Sequence, residues 1–112
     1  MAKKLALKRK DFLTLLASAK TKKRRNALID YADKDDILAI CECITNALRG
    51  NIKLTPAKIK RLKRHKECLR VLSKTGVSLK KRKAALKQNG GFLPLLIPAA
   101  VSAISSLLGG IR

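Results

Sequence analysis

"DKDDILAICECITNALRG", residues 33–50, is the stretch on which the fold turns. Asp33 stands directly before an apolar periodicity, where an N-cap carboxylate can accept a backbone N–H of the first turn. Asp35 and Asp36 come next, at the end of a helix whose dipole favours negative charge. Ile37, Leu38, Cys41, Ile44 and Leu48 then share one side at helical spacing, with Ile40 and Ala47 flanking. Gly50, just past the last periodic residue, is a stop. The pattern predicts a well-capped helix with a broad apolar face, and such a face needs partners.

The neighbouring sequence supplies them. Upstream, one helix is predicted near residues 11–19, with Phe12, Leu15, Leu16 and Ala19 inward. A second is predicted near 22–31, with Ala27, Leu28 and Tyr31 inward. Downstream, "LTPAK" opens another helix, Thr55 as N-cap and Pro56 at the first helical position. Its narrow stripe is Ile59, Leu62, Leu69 and Leu72, and it ends at Gly76. Ser78 caps a short, very basic helix, "LKKRKAALKQ", that stops at Asn89–Gly90. No stretch alternates with the period of a strand. The expected fold is therefore all-α, a small bundle of four to five short basic helices with a hydrophobic C-terminal tail. Its core centres on the stripe from Ile37 to Leu48, contacted by Leu62, Leu69 and Leu72.

The chain has 112 residues, enough for one modest core, and only 3% aromatics. Lys and Arg number 27 against seven acids, a net charge of +20. Small domains usually carry a net charge of about 2–8, and a larger excess repels itself unless a polyanion neutralises it. Nucleic acid is the first partner this implies and an anionic membrane the second. Three cysteines, Cys41, Cys43 and Cys68, make no disulfide framework and are expected reduced. With no signal-peptide pattern near residues 1–20, a reducing, intracellular site of synthesis is expected. His65 and Cys68 could form a metal pair joined by Cys41, but Cys43 points away from Cys41, and no metal is expected. The acids are explained by capping, so no enzyme activity and no cofactor are expected.

The cations fall in two blocks, residues 1–30 and 51–89, on either side of the mildly acidic segment 31–50. Like charges at i,i+4 weaken a helix, and phosphates between them recover that loss. The candidate DNA-binding residues in the first block are Lys8, Arg9, Lys10, Lys22, Lys23, Arg24 and Arg25. In the second they are Lys58, Lys60, Arg61, Lys63, Arg64, Lys66, Arg70, Lys80, Lys81, Arg82, Lys83 and Lys87. Nothing points to base readout. Zinc-finger spacing and a basic-zipper heptad are absent, and Phe12, Tyr31 and Phe92 are too scattered for a stacking platform.

No charge interrupts the chain from Gln88 to Ile111. Pro98 can begin a helix there, with Ile97, Ala100, Val101, Ile104, Leu107 and Leu108 on one stripe and Ser102, Ser105 and Ser106 opposite. The division expected is a basic arm over residues 1–10, a helical DNA-binding body over 11–89, a Gly-Gly hinge at 90–91 and a tail over 92–112. The tail is expected to be dispensable for folding of the body. Its interaction residues are Phe92, Leu93, Leu95, Leu96, Ile97, Val101, Ile104, Leu107 and Leu108.

"GGFLPLLIP", residues 90–98, resembles the carboxyl end of the precursor of the adenovirus core protein mu, with weaker similarity to residue 108. Lysine-rich helices leading into Gly-Gly-Phe-Leu-Pro-Leu-Leu also resemble the mu-like proteins of adintoviruses and Polinton (Maverick) elements. The resemblance implies a minor core protein that packs linear double-stranded DNA, located in the virion core and the host nucleus. It also implies processing by a maturation protease that cuts after an apolar residue, any residue, and Gly-Gly. Leu107–Gly110 fits that pattern, whereas Gln88 stands where an apolar residue is expected before Gly90–Gly91. Gly90, Gly91, Gly109 and Gly110 are the candidate processing residues. Two alternatives stay open: a membrane-active virion protein acting on anionic lipids, and an assembly adaptor whose tail docks on capsid protein.

Overall fold

In the computed structural model, residues 8–50 and 52–109 are described, with side chains through Ala103. The chain is all-α. Its helices are α1 (Lys10–Ser18), α2 (Lys22–Tyr31), α3 (Lys34–Leu48), α4 (Pro56–Lys63), α5 (Lys66–Ser73), α6 (Leu79–Asn89) and α7 (Leu93–Gly109). A 3₁₀ turn, Gly90–Phe92, joins the last two, and no strand occurs among the described residues.

α3 begins as its sequence predicts. The Asp36 N–H donates to Asp33 Oδ1 at 2.8 Å, and the Asp33 N–H donates back to Asp36 Oδ2 at 3.2 Å. This reciprocal box satisfies two backbone donors that would otherwise be orphaned. Gly50 and Gly76, after α3 and α5, take φ of +77° and +78°, the left-handed conformation that lets a chain leave a helix.

α3 is enclosed on more than one face. Ile37, Ala39, Ile40, Cys43 and Ile44 have no exposed surface, and Cys41, Glu42 and Asn46 are also buried. The Asn46 amide is satisfied by donating to the Glu42 carbonyl at 2.9 Å. The expected stripe is therefore too narrow at its centre and too long at its end. Leu38 is only half-buried, and Leu48 is 56% exposed, because the helix outruns its partners there.

The flanking helices are rotated from expectation. α1 buries Leu13 and Leu16, leaving Leu15 exposed and Phe12 half-buried. α2 buries Ile29. Ile29 and Tyr31 lie about 200° apart around a helix, so enclosing one turns the other out, and Tyr31 is 92% exposed. Ala27 is exposed and Leu28 half-buried. The single helix expected from Pro56 to the seventies is two, with a turn at Arg64–His65. That turn seats the His65 ring against Phe92, 5.3 Å between ring centroids, while Leu62, Cys68, Leu69 and Leu72 all reach the core. Ile59 stays partly exposed on α4.

The largest correction concerns the tail. Phe92, Leu93, Leu96, Ile97 and Ala100 are buried in the same core as α3, and α7 makes its most extensive contacts with α1 and α3. The helix starts at Leu93 rather than Pro98. Pro94, Pro98 and Ser102 form its exposed edge, so the carbonyl left without a partner by Pro98 sits on the side open to solvent. Gly90–Gly91 is not a hinge. Gly90 is buried inside the 3₁₀ turn, where a methyl group would lie 3.2 Å from Arg25 Nε. The physical reason is supply of apolar surface. The basic helices offer little of it, Ile29 from α2 and Leu86 from α6 for instance, and the uncharged α7 fills what remains.

The tail is thus part of the fold. Truncation after Gly91 should abolish cooperative thermal unfolding monitored by circular dichroism. Leu96→Ala and Ile44→Ala should each cost about 2–5 kcal/mol, whereas Leu15→Ala, on the exposed side of α1, should stay within about 0.5 kcal/mol.

Candidate nucleic-acid interface

The acids of the described chain are largely spoken for. Arg9 reaches Asp33, Asp35 and Asp36 at 3.7, 3.4 and 3.6 Å. The Asp36 backbone N–H, aided by Arg9, holds the Asp33 carboxyl below the usual carboxylate range. Lys87 Nζ pairs with Asp30 at 2.7 Å, and Lys83 Nζ donates to the Asp30 carbonyl at 3.1 Å. Glu67 lies 3.9 Å from Arg70, and Glu42 is interior. Most cations of the described residues thus meet no compensating charge there.

Two surfaces gather them. α2 and α6 pack antiparallel, since Lys83 and Lys87 meet the end of α2 at Asp30 while Gly90 lies against Arg25, nearer its start. Lys22, Lys23 and Arg24 therefore stand at one end of this pair, Lys80 and Lys81 at the other, and all five are exposed. Exposed Tyr31 adjoins the Asp30 contacts between them. The second surface is the α4–α5 segment, where Lys60, Arg61, Lys63, Arg64, Lys66 and Arg70 are exposed and Lys58 is half-buried. Lys8 and Lys10 are exposed at the start of α1.

Besides Lys83 and Lys87, which are engaged at Asp30, three further candidates leave the interface. Arg82 is buried, its Nη2 donating to the Lys74 carbonyl at 2.7 Å and its Nη1 lying 3.7 Å from Cys41 Sγ. It fills the inner stripe of α6 one turn before Leu86, where the sequence offers no apolar residue and an arginine stem serves instead. Arg25 is half-buried against Gly90. Arg9 is held by the acidic start of α3.

Three helix starts carry a feature outside the sequence-based expectations. Thr21, Thr55 and Ser78 are N-caps, their hydroxyls accepting the backbone N–H of Arg24, Lys58 and Lys81 at 3.1, 3.3 and 3.2 Å. A capping box would place Glu or Gln at that third position. Here each is a cation, and none of these helices has an acid in its first turn. The signal is legible as Ser/Thr-x-x-Lys/Arg repeated three times. Cations at the positive end of a helix dipole are unfavourable in water, and an anion placed there relieves both charges at once.

The tail candidates divide. Phe92, Leu93, Leu96 and Ile97 are core residues with no surface to offer, while Leu95 and Val101 are half-buried. The side chains of Ile104, Leu107 and Leu108 lie outside the described residues, as does Gly110. Gly109 closes α7. The family-like cleavage position between Gly91 and Phe92, already at odds with Gln88, would fall in a 3₁₀ turn whose Gly90 and Phe92 are both buried, rather than in an open linker. No described helix is long and apolar enough to cross a membrane. Among the described residues, no three His, Cys, Asp or Glu side chains could together hold a metal ion. Neither a family model, nor a curated protein, nor a solved structure matches the chain.

The three thiols are free and buried. Burial pushes Cys43 up to about 12 and Cys68 up to about 11, and raises Cys41 despite the opposing Arg82 guanidinium. A thiol whose folded pKa lies above its unfolded value of about 8.5 favours the fold only while neutral. That contribution is whole below the unfolded value and is lost as pH rises toward the folded ones. The melting temperature should accordingly fall as pH is raised above about 9. Disulfide-exchange labelling at neutral pH should be slow in the native protein and immediate in guanidinium. Arg82→Ala should destabilise by about 1–3 kcal/mol through loss of its buried stem and of its bond to the Lys74 carbonyl, whereas Lys80→Ala should leave stability within about 0.5 kcal/mol.

Proposed function

We propose that this protein is a viral minor core protein that binds and condenses double-stranded DNA without sequence preference, through contacts to phosphates. The observation that carries the reading is the cation at the third position of α2, α4 and α6, where an acid would stabilise the free protein. Arg24, Lys58 and Lys81 weaken the helices they open, and a phosphate beside each cap would turn that loss into binding. The starts of α2 and α6 lie at opposite ends of an antiparallel pair, about 15 Å apart by helix length. Separated sites of this kind suit a polymer of phosphates better than a single small anion.

Magnitudes agree with a duplex. B-DNA carries one negative charge per about 1.7 Å, so a net charge of +20 matches about 34 Å of helix. The longest extent of the protein is 38 Å. One molecule can therefore neutralise about the length of duplex it covers. Exposed cations lie both on the α2–α6 pair and on α4–α5, so phosphate contacts need not be confined to one helix. The viral setting rests on the resemblance of residues 90–98 to the mu precursor, and on it alone. A membrane role loses its instrument, since Phe92, Leu93, Leu96 and Ile97 are committed to the core.

The test is a variant carrying Arg24→Glu, Lys58→Glu and Lys81→Glu. Stability and binding should move in opposite directions. The free protein should gain about 1–3 kcal/mol from three favourable helix starts, while duplex affinity falls and the slope of log K against log salt shrinks. For the parent, with about 6–10 phosphate contacts, affinity should drop about 10³–10⁵-fold between 50 and 200 mM salt. Random-sequence duplexes should compete equally. Undiminished binding by the triple variant, or a strong sequence preference, overturns the reading.

A further inference from the structure

Between the end of α3, α4 and α5 the surface sinks into an apolar trough of about 790 Å³ that reaches Leu96 of α7. Ile44, Leu62 and Leu69 form its floor; Leu48, Leu54 and Ile59 rise around it. Leu48 and Ile59 are 56% and 42% exposed, so two core-type side chains meet solvent at one place on an otherwise cationic molecule. Lys63, Lys66 and Arg70 line the same trough and are exposed. Glu67 offsets Arg70 only weakly, at 3.9 Å with both side chains largely in solvent.

We propose that this trough is a docking site for an amphipathic acidic helix of a partner protein. The helix would lay apolar side chains at i, i+3, i+4 and i+7 on Leu48, Leu54 and Ile59, with carboxylates beside that face meeting Lys63, Lys66 and Arg70. Charge complementarity selects this occupant. A second copy of the chain would bring the same three cations and the same net +20 against the rim. The segment of residues 1–7 brings Lys3 and Lys4. DNA has no apolar face to cover Leu48 and Ile59. A single-chain anionic lipid carries one headgroup, whereas Lys66 and Arg70 stand one helical turn apart, with Lys63 just before them. Carboxylates at i and i+4 of a helix repeat at that same spacing. The rim cations Lys63, Lys66 and Arg70 are shared with the DNA reading, whereas the two central residues, Leu48 and Ile59, are not cations and separate the two in the test.

The experiment uses the full chain and fluorescence anisotropy at about 150 mM salt, where surface charge alone is well screened. The probe is a synthetic helical peptide with a leucine stripe flanked by glutamates. Its control is a scramble of identical composition that destroys the stripe. The ordered peptide should bind at least about tenfold more tightly than the scramble. Leu48→Gln with Ile59→Gln should weaken it by about tenfold or more, as expected when anchors of a docking site are lost. The same variant should leave duplex DNA affinity and melting temperature unchanged. Lys66→Gln with Arg70→Gln, both on the surface of α5, should weaken peptide binding too and serves as a second variant. Equal binding of the scramble overturns the proposal, as does undiminished binding by the leucine–isoleucine variant. So does displacement of the peptide by equimolar oleate or by phosphatidylglycerol vesicles, which would make the trough a lipid site. Loss of peptide binding with intact DNA binding, or the converse, keeps the two functions apart.

Discussion

The packing of α7 across α1 and α3 is what allows this chain to be folded at a net charge of +20. Every helix that carries Lys and Arg brings repulsion along with whatever apolar stripe it offers. α7 brings Phe92's neighbours Leu93, Leu96, Ile97 and Ala100 into the core and no charge at all. The composition of the tail is therefore a consequence of the composition of the rest. A core assembled only from the basic helices would leave Leu13, Leu16 and the second face of α3 uncovered. Charged helices drawn in to cover them would have to bury cations, and only Arg82 is buried among the cations of the described residues, with the Lys74 carbonyl as partner.

The helix starts are of two kinds. α3, the central element, has a complete capping box and two acids in its first turn. α2, α4 and α6 have the hydroxyl cap but carry the opposite charge in the turn beyond it. The favourable arrangement is thus kept where the core is organised and absent at the starts of the three basic surface helices. The same division runs through the ion pairs. Arg9 and Lys87 are tied to acids, and they secure the start of α3 and the α2–α6 contact. The cations at the outer ends of α2 and α6 have no such tie among the described residues.

Much of this is legible in the sequence. The Asp33 cap, the Thr55–Pro56 start, the Ser78 cap and the glycine stops define the helices, because caps and stops are local chemistry. The inward faces are less legible. α2 has Leu28, Ile29 and Tyr31 within four residues, and periodicity alone does not say which is enclosed; contact with α6 decides it. The break at Arg64–His65 carries no Gly or Pro to announce it, and the ring that His65 meets there, Phe92, lies twenty-seven positions away. The place of the tail is hidden because hydropathy registers that a helix seeks apolar surface and not where that surface lies. One clue is present. α3 carries Ala39, Ile40 and Cys43 off its main stripe, and a helix apolar on two sides needs two sets of neighbours, of which the body provides one. For the interface, composition identifies the cations as a class. Which of them are already engaged, Arg9 and Arg82 above all, rests on an acid or a carbonyl distant in the chain.

Because α7 is the last of the described helices to be synthesised, the core cannot close until translation has passed it. Leu13, Leu16 and the outer side of α3 emerge early and wait, uncovered, while the most basic stretches of the chain are added behind them. The polypeptide is thus at its most exposed and already highly charged while still beside the ribosome, itself a mass of phosphates. Contacts between distant parts of a chain also form slowly, since they close long loops. Such a protein has a window in which it is cationic, apolar and incomplete, and its yield in a cell depends on how quickly α7 reaches its place.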